Sequence, residues 1–184
     1  MWIAMAGLPG TGKSSLATML AERLGGVVLN KDAVRAALFP GPALDYSREQ
    51  DDLTLEAIYA AARIITCTRC LPVILDGRTY SKAYQVRALF NAADPLGFAP
   101  HVVECVASDE VVKVRLERDL ANGSHPAKNR TFEMFLNVKG TAEPLDVPRL
   151  VLDTSSITVE DGVERVSRYV EAMNPQAGRE TASI

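Results

Sequence analysis

The sequence has few cysteines, histidines and aromatic residues, and it lacks a long apolar run. Its 184 residues include 3 cysteines, 2 histidines and 6% aromatic side chains. So few cysteines fit a reducing compartment, and two histidines offer no cluster for a metal site. No apolar stretch approaches the roughly 18 residues of a membrane span, and no basic signal region precedes the first strand pattern. We therefore expect a cytoplasmic protein without a membrane partner.

Two of the cysteines, Cys67 and Cys70, form a C-x-x-C pair late in a long helical pattern. A zinc site would need a second pair, and the sequence contains none. The pattern therefore predicts two buried helix thiols.

The chain also lacks an excess of positive charge, since its formal net charge is −3. Nonspecific binding to nucleic acid usually requires a basic surface field, so the charge weighs against a polynucleotide substrate. A local basic funnel on an acidic protein would still bind one. The polynucleotide alternative therefore stays open.

Apolar runs alternate with helical patterns along most of the sequence, which predicts an α/β fold with a mostly parallel sheet. Strands are expected at 2–6, 27–30, 73–76, 101–107 and 150–153, and helices at 13–24, 32–38, 48–71, 82–93, 109–120 and 159–173. Ser47, Ser81, Ser108 and Thr158 are candidate helix caps. We predict one domain over 1–173, a polar lid at about 121–130, and a frayed tail over 174–184.

A complete G-x-x-x-x-G-K-S motif lies between the first strand and the first helix. Its glycines allow a backbone curl in which successive N–H groups point at an anion, and the helix dipole acts on the same spot. Lys13 would bridge β- and γ-phosphate oxygens, and the Ser14 hydroxyl would coordinate Mg²⁺. The expected nucleotide-binding residues are Gly7, Leu8, Pro9, Gly10, Thr11, Gly12, Lys13, Ser14 and Ser15.

The second strand ends in a D-x-x-R pattern formed by Asp32 and Arg35. In a parallel sheet this turn lies at the same end as the phosphate loop. Asp32 is placed to accept the proton of an attacking hydroxyl, and Arg35 to hold an anionic or polar acceptor. The alternative is that Asp32 only caps a short helix and that Arg35 is a solvated surface charge.

The third strand ends in Asp76, and Arg78 follows two residues later. Apolar residues closing on an aspartate are the usual second acidic element of a phosphate-loop enzyme, in which the carboxylate orients Mg²⁺. The alternative is that Asp76 faces the acceptor. Arg78 is a candidate for binding acceptor or phosphate, against the alternative of a surface arginine.

Basic residues also flank the polar segment at 121–130. Arginines on a closing segment stabilise the charge that develops on the transferred phosphoryl group, so Arg118 and Arg130 are the lid candidates. Arg115 is expected to pair with a nearby carboxylate.

Taken in order, these motifs resemble the small phosphate-loop kinases of the polynucleotide kinase, chloramphenicol phosphotransferase, gluconate kinase and adenylylsulfate kinase group. The resemblance implies a five-stranded parallel sheet, ATP with Mg²⁺ as donor, Asp32 as base, and a lid bearing Arg118. It also places Thr154, after the last strand, near the adenine. The segment Asp76-Gly77-Arg78-Thr79 departs from the acceptor-binding sequence expected of a polynucleotide or gluconate kinase. The acceptor is therefore left open.

The sequence thus predicts an ATP-dependent kinase that phosphorylates a hydroxyl of a small molecule, such as a sugar, a nucleoside-like metabolite or an antibiotic. A 5′-hydroxyl polynucleotide kinase is the first alternative, although the few aromatic residues offer little base stacking. A nucleotide-dependent switch or hydrolase is the second. The oligomeric state is left open.

Overall fold

A parallel sheet of five strands forms the centre of the computed structural model, which describes residues 1–122 and 131–173. The strand order is β2-β3-β1-β4-β5. Central strand β1 is completely buried, since both of its neighbours and both sheet faces cover it. The strands are β1 (Trp2–Ala6), β2 (Val27–Asn30), β3 (Val73–Asp76), β4 (His101–Val106) and β5 (Leu150–Asp153).

Seven α-helices surround this sheet in the described residues: α1 (Lys13–Leu24), α2 (Lys31–Leu38), α3 (Arg48–Arg69), α4 (Ala83–Ala93), α5 (Asp109–Asn122), α6 (Phe132–Thr141) and α7 (Val159–Met173). Alternate residues of β1 face opposite sides of the sheet. Trp2 packs with α3 and α4 on one side, whereas Ile3 packs with α1 and α7 on the other. A smaller cluster joins α5 and α6 to Leu8 of the phosphate loop.

All five predicted strands are present, and the α/β fold with a parallel sheet is confirmed. Strand β4 ends at Val106, one residue before the predicted end. Helix α3 ends at Arg69, because Cys70 adopts a left-handed conformation with a φ of 54°. Helix α6 was not predicted; it begins where Thr131 accepts a hydrogen bond from the Met134 N–H. Of the predicted lid, residues 121 and 122 belong to α5, and 123–130 lie outside the described residues, as does the tail.

Three of the four predicted caps are confirmed. Ser47 and Ser108 each accept a hydrogen bond from a backbone N–H of the helix that follows, and Thr158 does so within a reciprocal pair with Asp161. The prediction for Ser81 is wrong. The first free N–H of α4, that of Ala83, donates to Glu143 at 2.7 Å, so a residue far along the chain satisfies this helix end.

The prediction that Cys67 and Cys70 are buried is also wrong, because both thiols are exposed and the buried cysteine is Cys105. They lie at the end of α3, where residues 67–70 are all exposed. In the described part of the chain, no group of three or more His, Cys, Asp or Glu side chains could hold a metal ion. No helix within the described ranges is long and apolar enough to cross a membrane.

Gly26, at the entry to β2, allows the backbone of the chain to approach Pro72 closely. A Cβ atom at this position would lie 2.6 Å from the Pro72 carbonyl oxygen, which accepts a hydrogen bond from the Val27 N–H at 3.0 Å. We expect Gly26→Ala to lower the free energy of unfolding by about 1–3 kcal/mol, since the added methyl group forces a backbone shift. Urea denaturation measures this change.

Gly140→Ala in α6 is the matched control for this prediction. A Cβ atom at Gly140 would meet nothing within 4 Å. The substitution should therefore be neutral or stabilise the protein by up to about 1 kcal/mol, because alanine favours the helix. Equal stability of the two variants would show that Pro72 does not constrain this position.

Candidate active site

The phosphate loop joins β1 to α1 at the carboxyl edge of the sheet. Gly7, Gly10 and Gly12 have φ values of 126°, 78° and 83°, a region that side chains disfavour. Gly7 also lies against β4, since a Cβ atom there would be 2.2 Å from the Cys105 carbonyl oxygen. Sequence spacing and local geometry agree on an anion-binding loop.

Lys13 lies under this loop with its side chain buried. Its Nζ donates hydrogen bonds to the carbonyl oxygens of Gly7 and Leu8, both at 2.7 Å. Ser14 and Ser15, at the start of α1, are exposed and line a cleft of about 690 Å³. This cleft extends from the phosphate loop to the start of α2, so it joins the predicted nucleotide side to the predicted acceptor side.

Asn30, rather than Asp32, caps α2. The Asn30 Oδ1 accepts a hydrogen bond from the Ala33 N–H at 2.9 Å, while its Nδ2 donates to Asp76 Oδ2 at 2.7 Å. The alternative that Asp32 is only a cap is therefore wrong. The Asp32 carboxylate lines the cleft, with its Oδ1 3.8 Å from Arg35 Nη1.

Asp76 is buried at the end of β3, and its second carboxylate oxygen is unused. Oδ1 has no hydrogen-bond partner among residues 1–122 and 131–173. An unsatisfied buried carboxylate oxygen is costly unless a ligand or water completes it. This carboxylate oxygen and the exposed Ser14 hydroxyl are oxygen ligands of the type that Mg²⁺ prefers, so the predicted metal residues fit the ion chemically.

The side chains of Arg35 and Arg78 meet at one carboxylate, Asp51. Asp51 Oδ1 accepts from Arg35 Nη2 and from Lys31 Nζ, the latter at 2.7 Å, and Oδ2 accepts from Arg78 Nη1. Arg35 is only 5% exposed and Arg78 only 3%, so the predicted alternatives of surface arginines are both wrong. We call these four residues, Lys31, Arg35, Asp51 and Arg78, the Asp51 cluster.

Burial controls the charge state of Lys31 in this cluster. Desolvation lowers the pKa of Lys31 to about 8, and the nearby Arg35 acts in the same direction, whereas Asp32 and Asp76 oppose the shift. Above pH 8 the cluster therefore loses a positive charge. Neither Lys31 nor Asp51 was predicted as a site residue, because nothing local to Asp51, at the start of α3, indicates which cations it contacts.

Arg115 binds backbone and hydroxyl oxygens rather than the carboxylate that we predicted. Its Nη1 donates to Thr154 Oγ1 at 2.9 Å and to the Gly10 carbonyl at 3.4 Å, and its Nη2 donates to the Thr154 carbonyl at 2.8 Å. Thr154 Oγ1 in turn donates to the Thr11 carbonyl at 3.0 Å. The structure therefore places Thr154 beside the phosphate loop, with Arg115 holding both.

The lid arginines are only partly described. Arg118 lines the cleft with a side chain that is 68% exposed, and its one ion pair in the described residues, with Asp119, spans 3.9 Å. Its guanidinium is thus available for a ligand in the cleft. Arg130 lies outside the described residues.

Comparison with known proteins places this site in a family. Residues 3–144 match the family described as AAA domain, AAA_33. An Aeropyrum pernix protein named "Probable adenylyl-sulfate kinase" is 27% identical over 174 residues, covering 92% of this chain and 91% of that protein.

Solved structures agree with this fold. The APS kinase of Mycobacterium tuberculosis in complex with AMPPNP and APS has a TM-score of 0.69 at 18% identity, covering 92% of this chain and 96% of that chain. A gluconokinase from Sinorhizobium meliloti 1021 has a TM-score of 0.64 at 17% identity, covering 93% of this chain and 95% of that chain. Because the family match spans more than half of the sequence, the chain belongs to the AAA_33 family of P-loop kinase domains, and the resemblance drawn from its motifs is confirmed.

Proposed function

We propose that this protein transfers the γ-phosphoryl group of ATP to a hydroxyl of a small molecule. One observation carries the proposal: a single cleft is lined at one end by the phosphate loop and at the other by the Asp32 carboxylate. A nucleotide switch needs the first end only, whereas a kinase also needs a base at the second. Since ATP is a cytoplasmic substrate, we propose a cytoplasmic location with this activity.

In the proposed reaction, an Asp32 carboxylate oxygen accepts the proton of the acceptor hydroxyl. The hydroxyl oxygen forms a bond to the γ-phosphorus, the bond from this phosphorus to the β–γ bridging oxygen breaks, and ADP leaves. Lys13 and Arg118 would stabilise the charge on the phosphoryl oxygens, with Arg130 as a further candidate from the sequence. Mg²⁺, held by Ser14 and Asp76, would neutralise phosphate charge.

The Asp51 cluster forms part of the acceptor wall in this proposal. Lys31, Arg35 and Asp51 line the cleft beside Asp32, and the Arg35 guanidinium lies 5.5 Å from the centre of the Tyr46 ring. Arg78 lies behind them and holds Asp51. Arg35, which lines the cleft, remains a candidate for binding the acceptor. Arg78 acts through Asp51, and Asp76 remains a candidate for either metal or acceptor.

An ATP-consumption screen tests this function. Sugars, nucleosides, antibiotics and oligonucleotides with free 5′-hydroxyls serve as acceptors, and we expect transfer to a small hydroxyl compound. Lys13→Ala should abolish this turnover, since it removes the cation that contacts both β- and γ-phosphates. A rate of ATP hydrolysis that no acceptor changes would favour a hydrolase. Labelling of oligonucleotides alone, with a steep salt dependence, would favour a polynucleotide kinase.

Asp32→Asn tests the base. We expect the transfer rate to fall by roughly 10²–10⁴-fold, the range for losing a general base, while ATP affinity stays almost unchanged. The cap of α2 is provided by Asn30, so this substitution leaves the helix start intact. Asp146→Asn, an exposed aspartate outside the cleft, is the control with the same chemical change. A wild-type rate in Asp32→Asn would exclude Asp32 as the base.

Arg115→Ala tests how the nucleotide end is held. Losing the hydrogen bonds from Arg115 to Gly10 and Thr154 should weaken nucleotide binding by about 10- to 100-fold, because the Gly10 carbonyl of the loop and Thr154 beside it lose their charged donor. Isothermal titration with a non-hydrolysable ATP analogue measures this change. Lys113→Ala on the same helix removes an exposed cation that pairs only loosely with Glu117, at 4.0 Å, and should bind like wild type. Similar affinities in the two variants would contradict this role.

A further inference from the structure

The Asp51 cluster surrounds one carboxylate with three cations. Both Asp51 oxygens are used: Oδ1 binds Lys31 and Arg35, and Oδ2 binds Arg78. Donors converging in this way on two oxygens are the arrangement with which proteins bind a phosphate, sulfate or carboxylate. Here the protein supplies that anion from α3.

Two more carboxylates complete the charge balance. Asp32 Oδ1 lies 3.8 Å from Arg35, and Asp52 Oδ1 lies 3.7 Å from Arg78. Three cations therefore face three carboxylates, and the buried Asp76 adds a further negative charge nearby. No net positive charge remains for an anionic acceptor.

An anionic acceptor could reach these cations only by displacing Asp51. The two arginines are almost completely buried, so breaking their contacts with Asp51 would be strongly unfavourable unless the incoming anion replaced every bond. The displaced carboxylate would also remain beside the new anion, because it is fixed to α3. Like charges this close repel each other strongly.

A neutral hydroxyl compound has no such penalty. Asp51 is 20% exposed at the cleft, and both it and Asp32 can accept hydrogen bonds from hydroxyl groups without losing their own partners. Within the described residues, Asp51 Oδ2 accepts from Arg78 only, and a carboxylate oxygen can accept two hydrogen bonds. The wall therefore offers acceptors for hydroxyl hydrogens rather than free cations for an anion.

We propose that Asp51 is a built-in counter-ion, and that it restricts the phosphate acceptor to uncharged compounds with several hydroxyl groups. This proposal rests on the kinase function above and specifies its substrate class. Asp51 acts as a specificity residue, since its fixed negative charge occupies the position that an acidic group of the substrate would otherwise take.

Sulfate titration tests the counter-ion without any activity assay. The phosphate loop is able to bind one sulfate in every variant, so the readout is an additional site. Isothermal titration should detect no second sulfate site in wild type. In Asp51→Asn it should detect a new site, with an affinity at least about tenfold above the weakest binding that the titration could have detected in wild type, because the three cations lose their carboxylate. Glu49→Gln removes an exposed carboxylate two residues before Asp51 on α3, leaves the Asp51 cluster in place and should gain no site. A second sulfate site in wild type, or none in folded Asp51→Asn, would overturn the proposal; circular dichroism establishes folding.

Matched acceptors test the substrate class in the wild-type protein, so this arm does not depend on the folding of a variant. The pairs are glucose with gluconate and a nucleoside with its 3′-phosphate. In wild type, we expect the neutral member of each pair to have a kcat/KM at least about 100-fold higher than the anionic member. In Asp51→Asn, this ratio of neutral to anionic kcat/KM should fall about tenfold. A higher kcat/KM for the anionic member would refute the counter-ion while leaving the kinase function intact. If no acceptor receives a phosphoryl group, the kinase function is refuted. The sulfate titration by itself would then test the role of Asp51 as a counter-ion.

Discussion

The hydrogen bonds that satisfy the carbonyl groups of the phosphate loop are the constraint on which the rest of the site depends. To point its N–H groups at an anion, the loop must turn its carbonyl groups away, and buried carbonyls need donors. Lys13 satisfies Gly7 and Leu8, Arg115 binds Gly10, and the Thr154 hydroxyl binds Thr11. The end of the last strand and α5 are thereby tied to the phosphate loop, and these hydrogen bonds fix the shape of the nucleotide end of the cleft.

The acceptor end depends on a second tie, between the ends of β2 and β3. Asn30 bonds to both the α2 backbone and Asp76, so one amide fixes the direction of α2 and the position of a buried carboxylate. Asp32 follows two residues later and is held at the cleft wall. The parallel register of β2 with β3, in which Asn30 is opposite Asp76, makes this contact a consequence of the sheet itself.

Features that depend on neighbours in sequence could be predicted, and those that depend on distant partners could not. The phosphate loop, the five strands and the D-x-x-R turn are each contiguous, and they were recognised. Arg115 bonds to Gly10 from 105 residues away, and Arg78 to Asp51 from 27. A charged residue on a helix gives no local signal of such a partner, so Arg115 was assigned to a carboxylate and Asp51 was missed. Likewise, the local sequence favours Ser81 as the cap of α4, but Glu143, which follows α6 in the chain, accepts the hydrogen bond from the Ala83 N–H instead.

The Asp51 cluster contributes precision rather than stability. Burying two arginines and a lysine beside carboxylates costs desolvation that their attraction only roughly repays, so apolar packing would stabilise the fold at least as well. What the ions provide is direction: Asp51 on α3 is fixed to Lys31 and Arg35 at α2 and to Arg78 after β3. Three elements are thus held at one point of the cleft wall. Any shift of α3 would separate these opposite charges, so the cluster opposes relaxation of the cleft wall. For the proposed kinase activity, we therefore expect selectivity at this end of the cleft to follow from the rigidity of the cluster as well as from its charge.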